Sequence, residues 1–331
     1  MPTYNVAPYI DEAIDSVLRQ RYRDFVLLVV DDASTDGTWE RVCRYDDPRI
    51  RRVRHDSNLG LADNLNSGLA LVETEYTARM DGDDIAEPDW LESEVAFLDS
   101  HPDIGVCGGS CEVFGSKHYT VRFPADAPSV AVNMLFECSL TVPTFRTDIV
   151  REHGLRYRSD AFPAEDYRFW ADCLQVTRIC NIPRVLFRYR MHEKQISTAL
   201  HSRQQQQSDA VRRIMLHRLN ADISDSDVDY FLRCYAPGKV DSRADYRAMR
   251  RFSRRMVKLN RTQRHYDAAA LRRRCRHQEV QALYHHIIRR YFHDGYTLRA
   301  YLRYLLSGCA WRTTMHYEIR FLIKSLLHRS L

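Results

Sequence analysis

The run Phe25-Val26-Leu27-Leu28-Val29-Val30 carries no polar side chain and is closed by Asp31-Asp32. A continuous run rich in Val and Leu suits a strand buried on both faces, the condition of a parallel sheet covered by helices. The flanking segments agree. Upstream, Ile10, Ala13, Ile14, Val17 and Leu18 recur at the spacing of one buried helix face. Downstream, the loop from Asp31 to Thr38 is rich in turn formers and cap residues. A helix is then expected from Thr38 to about Tyr45, a strand over residues 50–54, a helix opened by Asn58-Leu59-Gly60, and a strand over residues 76–80. Later come strand patterns at 104–111 and 112–114 and an amphipathic helix from Glu165. This alternation predicts an α/β sandwich with a mainly parallel sheet.

In such sheets ligands bind beyond the carboxyl ends of the strands. Both Asp31-Asp32 and the tetrad Asp81-Gly82-Asp83-Asp84 fall at those ends. Packing three carboxylates into four residues costs Coulomb energy unless something positive lies among them. A divalent metal bridging two phosphates is one such partner; a solvated acidic turn is the other reading. Glu165-Asp166 adds a third acidic motif at a helix start, where the helix dipole favours carboxylates and capping is the plain alternative to chemistry. A calcium loop beginning at Asp81 fails, because its required glycine is Ala86 and an oxygen ligand is replaced by Ile85. No glycine-rich phosphate loop follows the first strand, which excludes a P-loop or dinucleotide fingerprint.

At 331 residues and 44% hydrophobic content the chain can hold two domains or one with an extension. No apolar run approaches the ~20 residues of a membrane span, and no secretory leader is visible at Met1-Pro2-Thr3-Tyr4-Asn5. Nine cysteines without a Cys-x-x-Cys pair read as scattered reduced thiols, pointing to the cytosol. The net charge of +5 conceals a division. Residues 1–200 hold 22 Lys+Arg against 33 Asp+Glu, net −11, whereas residues 201–331 hold 27 against 11, net +16. Strand signals end near residue 200, and helical patterns rich in Arg, Tyr and His take over. The expected organisation is therefore 1–105, 106–200 and a basic helical region, 201–331. An anionic partner is expected for the last part. Its closing segment, Met315 to Arg329, reads as a basic amphipathic helix, packed on the domain or lying on a membrane surface. Interleaved Tyr and Arg also permit a nucleic-acid contact, but no known module of that kind is visible, and no nucleic-acid partner is expected.

Pro2-Thr3-Tyr4-Asn5, Val30 to Thr38, Asn58-Leu59-Gly60, Asp81 to Asp84 and Ala164 to Trp170 stand in the order seen in family 2 inverting glycosyltransferases of the GT-A fold. Tyr189-Arg190-Met191-His192 with Gln195-Ile196-Ser197 resembles the bacterial polysaccharide branch of that family. The resemblance covers about residues 1–200 and implies a GT-A nucleotide-diphospho-sugar transferase sandwich with an α-helical C-terminal extension. It implies transfer of a sugar from a UDP-sugar or dTDP-sugar to a glycan or lipid-linked acceptor in surface polysaccharide biosynthesis, assisted by Mn²⁺ or Mg²⁺. An inactive relative that binds or scaffolds in glycan assembly is the alternative. By the resemblance, Asp83 is the direct metal ligand, Asp81 lies near the ribose or metal, and Asp84 supports them. His192 either completes the metal or diphosphate site or is structural. Asp32 would accept from the base N–H of uracil or thymine, in a pocket lined by Pro2 and Tyr4 with Asn5 in the same motif. Asp166 is the implied general base that deprotonates the acceptor, with Glu165 the fallback. The protein is expected in the cytoplasm, with the basic region docking at the anionic inner face of the membrane.

One departure stands out. Relatives carry a central strand immediately before the Pro-Thr-Tyr-Asn motif, where this chain has Met1. Its absence would leave ladder hydrogen bonds unmade on both neighbouring strands, at ~1–3 kcal/mol for each orphaned buried group. A start placed too late is the expected explanation, and in-frame upstream codons encoding no apolar strand would overturn it.

Overall fold

The first helix begins where Val6 O accepts the amides of Tyr9 (2.9 Å) and Ile10 (3.0 Å). Helix α1 (Ile10–Leu18) then buries Ile10, Ala13, Ile14 and Val17 on the expected face. The structure is a computed structural model that describes residues 1–192, 195, 199–234, 243–291, 297–306 and 322–324. The apolar run forms β2 (Leu27–Asp31), which lies between β1 (Pro2–Thr3) and β3 (Ile50–Arg54) in a parallel three-stranded sheet. Helices α1 and α2 (Thr38–Cys43) provide its crossovers, as parallel neighbours require, and α3 (Leu61–Ala70) leads on towards the second sheet.

A second sheet runs in the order β4 (Tyr76–Ala78), β8 (Thr144–Arg146), β6 (Ile104–Gly115), β9 (Arg178–Met191) and β5 (Ile85–Ala86), with β7 (Tyr119–Val121) paired to β6. Its longest ladder is parallel, from Ile104 opposite Arg178 to Gly115 opposite Met191, so parallel pairing carries most of the rungs in the fold. The strand patterns at 104–111 and 112–114 are one strand, because register shifts around Ser110 absorb the break. Gly109 permits it: a Cβ there would lie 2.9 Å from Leu186 Cδ1.

Helix α4 (Trp90–Ser100) is pinned to this sheet by a buried carboxylate. One oxygen of Glu94 accepts from Trp90 Nε1 (2.9 Å), Thr144 N (2.9 Å) and Thr144 Oγ1 (2.7 Å). Burial holds its pKa well above the usual carboxylate range. Helices α5 (Ala127–Asn133), α6 (Thr147–Glu152) and α7 (Glu165–Cys173) complete this layer. Beneath α7, Trp170 meets Phe145 edge-on at 5.7 Å and Phe169 stacks on Tyr157 at 4.1 Å. This aromatic core sets the height at which Glu165 and Asp166 emerge.

Between the two sheets β1 covers only the last rungs of β2, Val30 and Asp31, while β4 pairs with β8 on its other side. A cavity of about 1040 Å³ lies between β2 and β4, lined by Leu27, Leu28, Val30, Leu65, Trp90 and Phe145 among others.

The chain divides into two units, 1–212 and 213–331. Helix α8 (His201–Leu219) is followed by α9 (Asp225–Cys234), α10 (Arg243–Gln263), α11 (Ala268–Tyr291) and α12 (Leu298–Leu306), with no strand among the described residues beyond Met191. Residues 322–324 are helical, and the rest of the expected Met315 to Arg329 helix lies outside the described residues, as do Ile196 and Ser197. Among the described residues no helix is long and apolar enough to cross a membrane.

Gly68 sits inside α3 on the cavity wall, and a Cβ there would make an ordinary 3.4 Å contact with Val30 Cγ2. Gly68→Ala is expected to raise stability by ~0.5–1 kcal/mol through the helix preference of alanine. A urea unfolding midpoint that does not rise would contradict the helical, unstrained backbone described here.

Candidate active site

The rim of the first sheet is built by side chains that cap backbone amides. Asn5, in the left-handed region at φ 53°, accepts from Thr35 N at 2.9 Å, while its own amide donates to Ser34 Oγ at 3.0 Å. Val6 N donates to Thr38 Oγ1 and Ala7 N to Asp36, so the Pro2–Ala7 segment is strapped to the loop after β2. Asp31 is fully buried and accepts from Ser34 N (3.0 Å) and Thr3 Oγ1 (3.2 Å), with Arg54 Nε at 3.3 Å. Asp32 is also buried; its two oxygens accept from Leu59 N (2.8 Å) and Gly60 N (2.9 Å). Each oxygen thus keeps one lone pair for a further donor. Pro2 is buried in the β1 ladder, whereas Tyr4 is exposed at the rim.

The acidic tetrad leaves β4 and turns against the start of α1. Gly82 fits where a Cβ would lie 2.9 Å from Thr3 Cγ2 and 3.2 Å from Ile10 Cδ1. Asp84 is buried and takes Arg190 N at 2.8 Å; burial, then the charges of Asp83 and Asp81, push its pKa well up. Arg190 Nε donates to Asp83 O at 2.8 Å, and its guanidinium lies over the rings of Phe114 and Tyr9. The end of β9 therefore holds the tetrad in place. The Asp83 carboxylate is free of that clamp and meets His192 Nε2 at 3.1 Å, while the Tyr9 ring covers the imidazole at 4.6 Å. His192 Nδ1 is buried with no hydrogen-bond partner among the described residues, and Gln195 accepts from the His192 amide at 2.7 Å.

Glu165 and Asp166 open α7 with opposite exposures. Glu165 is 4% exposed, and burial followed by the charge of Asp166 pushes its pKa up to about 7. Asp166 has 40% of its side chain exposed; Oδ1 takes Tyr167 N at 2.6 Å, and Oδ2 lies 4.0 Å from Arg79 NH1. The other amino group of Arg79 donates to both oxygens of Asp81 at 3.0 Å. Desolvation raises the Asp81 pKa, and Arg79 opposes it.

The residues singled out in the sequence therefore fall into connected groups. Asp81 and Asp166 share one guanidinium, Asp83 and His192 touch, and Asp84 hangs from β9. Pro2, Tyr4, Asn5 and Asp32 lie along the rim of the first sheet, apart from those contacts. Arg79 and Arg190 were not singled out. The signal for Arg79 was present, since three carboxylates in four residues call for a cation and Arg79 is the nearest one in sequence.

Among the described residues no three His, Cys, Asp or Glu side chains are grouped to hold a metal by themselves. Asp83 with His192 supplies two donors. The Asp83 carboxylate fits a hard ion that takes one or two carboxylates and completes its shell with substrate phosphates and water, and the His192 imidazole adds a nitrogen donor.

A family model described as "Glycosyl transferase family 2" matches residues 1–158. An uncharacterized glycosyltransferase of Haemophilus influenzae is 33% identical over 226 residues, 63% of this chain and 70% of that protein. The Escherichia coli protein WfgD, a UDP-Glc:alpha-D-GlcNAc-diphosphoundecaprenol beta-1,3-glucosyltransferase, is 28% identical over 203 residues, 60% of this chain and 78% of its own length. Among solved structures, S. aureus TarS 1-349 in complex with UDP-GlcNAc has a TM-score of 0.59 at 20% identity, covering 89% of this chain and 91% of that one. The mannosyltransferase PcManGT of Pyrobaculum calidifontis, with GDP-Man and Mn²⁺, has a TM-score of 0.53 at 20% identity, covering 98% and 84%.

The Glu165 environment yields a stability prediction. Its carboxyl titrates near 4.5 in the unfolded chain and near 7 when folded. Between those values the folded state holds a proton that the unfolded state has released, so Glu165 lowers stability progressively as pH rises and fully above pH 7. Glu165→Gln should leave the melting temperature unchanged near pH 4.5 and raise it above pH 7, a gain on the order of 2 kcal/mol. A gain independent of pH would contradict the assigned burial.

Proposed function

The chain belongs to glycosyl transferase family 2, and on that premise we propose that it moves a sugar from a nucleoside-diphosphate donor to a glycan or lipid-linked acceptor with inversion at the anomeric carbon. The observation that carries this reading is the shared guanidinium of Arg79, which ties Asp81 of the tetrad to Asp166 of α7. A donor-holding loop and a solvent-facing carboxylate meet at one point, as single-step displacement requires. Asp166 is the general base. As the acceptor oxygen forms its bond to the anomeric carbon, the hydroxyl proton passes to Asp166 Oδ2, and the bond to the diphosphate oxygen breaks on the opposite face. Its exposure suits that task better than the buried Glu165, which remains the fallback.

Asp83 and His192 are the residues that would hold Mn²⁺ or Mg²⁺, whose charge offsets that on the departing diphosphate. Asp81 then faces the ribose or the metal and Asp84 keeps the loop in position. Pro2, Tyr4, Asn5 and Asp32 form the base pocket, with a remaining Asp32 lone pair the acceptor for the N–H of uracil or thymine. The names UDP-Glc and UDP-GlcNAc attached to WfgD and to the TarS complex support a UDP-sugar, and the PcManGT complex supports a divalent cation. The diphosphoundecaprenol acceptor in the name of WfgD supports a lipid-linked acceptor in polysaccharide synthesis. On this reading, 1–105 binds the donor, 106–200 the acceptor, and 201–331 docks at an anionic membrane from the cytoplasmic side.

A thermal-shift titration with UDP, dTDP and GDP, with and without Mn²⁺, tests the donor. UDP should raise the melting temperature more with Mn²⁺, since a ligand specific to the folded state stabilises it, and Asp83→Ala should remove the Mn²⁺-dependent part. Asp166→Asn should keep that binding and lower sugar transfer by ~10²–10⁴-fold, the typical contribution of a general base. Transfer that survives both substitutions sinks the mechanism. No nucleotide binding at all would favour an inactive relative that scaffolds glycan assembly.

A further inference from the structure

Helix α10 sorts its cations by face. Tyr246, Met249, Phe252 and Met256 are buried, and Arg250 and Arg255 pair with Glu279 (3.5 Å) and Asp227 (2.7 Å). Of the remaining cations, Arg247, Arg251, Arg254, Lys258 and Arg261 are exposed, and none of these pairs with a carboxylate among the described residues. They follow the spacing i, i+4, i+7, i+11, i+14, which is one straight row of about 21 Å at the α-helical rise. Like charges at this spacing oppose helix formation. The row is therefore carried against its own repulsion, and an anionic surface relieves it.

Helix α12 shows a second outward face in the same unit. Leu298, Leu302 and Leu305 are exposed at i, i+4, i+7 with Arg299 and Arg303 beside them, while Ala300, Tyr301 and Tyr304 are buried. Leucines flanked by arginine suit the headgroup boundary of a bilayer, and a soluble polyanion has no use for them. We propose that the cationic row of α10 docks the protein on an anionic lipid surface and that the leucines of α12 enter its headgroup layer. This deepens the membrane contact proposed above and rests on residues 213–331, so it is read without any transfer assay.

The full chain is sedimented with vesicles of phosphatidylcholine alone and of phosphatidylcholine and phosphatidylglycerol in equal parts. Binding is expected to the anionic vesicles only and to fall as salt rises from ~0.05 M to ~0.5 M, because exposed charges are screened. Each surface cation contributes about a fivefold gain in partitioning, so Arg251→Gln/Arg254→Gln/Lys258→Gln should lose about 100-fold and Arg254→Gln alone about fivefold. Arg255→Gln removes the same charge from a paired position and should lose less than Arg254→Gln. Leu298→Ser/Leu302→Ser should weaken binding while leaving its salt dependence intact. The single substitution at Arg254 decides the matter if the triple variant does not fold. No binding to anionic vesicles at low salt, or binding unchanged by the cation substitutions, overturns the proposal. So does binding to polyphosphate or duplex DNA as tight as to vesicles and indifferent to the leucine substitutions, which would make the row a polyanion site.

Discussion

Carboxylates drawn to one place repel each other and lose hydration, and each loss favours protonation over charge. At the proposed reaction centre Asp81, Glu165 and Asp166 come together, and the half-buried Arg79 is the cation common to all of them. Its fork divides the work. One amino group holds both oxygens of Asp81, and the other faces Asp166 at 4.0 Å without closing on it. Asp81 is thereby fixed, while Asp166 keeps an open oxygen. Glu165, deeper and with one oxygen lacking any hydrogen-bond partner among the described residues, takes the proton instead. Burial and the charge of Asp166 raise the Glu165 pKa, and Arg79 opposes them.

The sheets deliver these groups from distant parts of the chain. β4 ends at the tetrad, the aromatic core under α7 raises Asp166, and the end of β9 returns to hold Asp84 and the main chain of Asp83. Gly82 lets the tetrad press against α1. The resulting pair, Asp83 with His192, spans 109 residues of sequence and rests on the parallel β6–β9 ladder.

Much of the α/β order was legible in the sequence because it depends on local pattern. The Phe25 to Val30 run became β2, the Ile10 periodicity became α1, and the acidic motifs lie at strand or helix ends. What depended on pairing was not legible. The merging of two strand patterns into β6 turns on register shifts against β9, and the cavity between β2 and β4 appears only once both sheets exist. The contacts of Arg79 and Arg190 are not legible for the same reason. An arginine beside acids reads as surface charge until its partners are known, and both of these lie inward with specific oxygens.

Asp32 shows what the rim of the first sheet would offer a nucleobase in the proposed pocket. Because its carboxylate already holds the amides of Leu59 and Gly60, the wall of the pocket is ordered when the protein folds. On the proposed reading, an arriving base would meet an edge already held by those two amides. The entropy of arranging that edge belongs to folding and is absent from the binding step, so discrimination among bases can rest on hydrogen-bond match and shape alone.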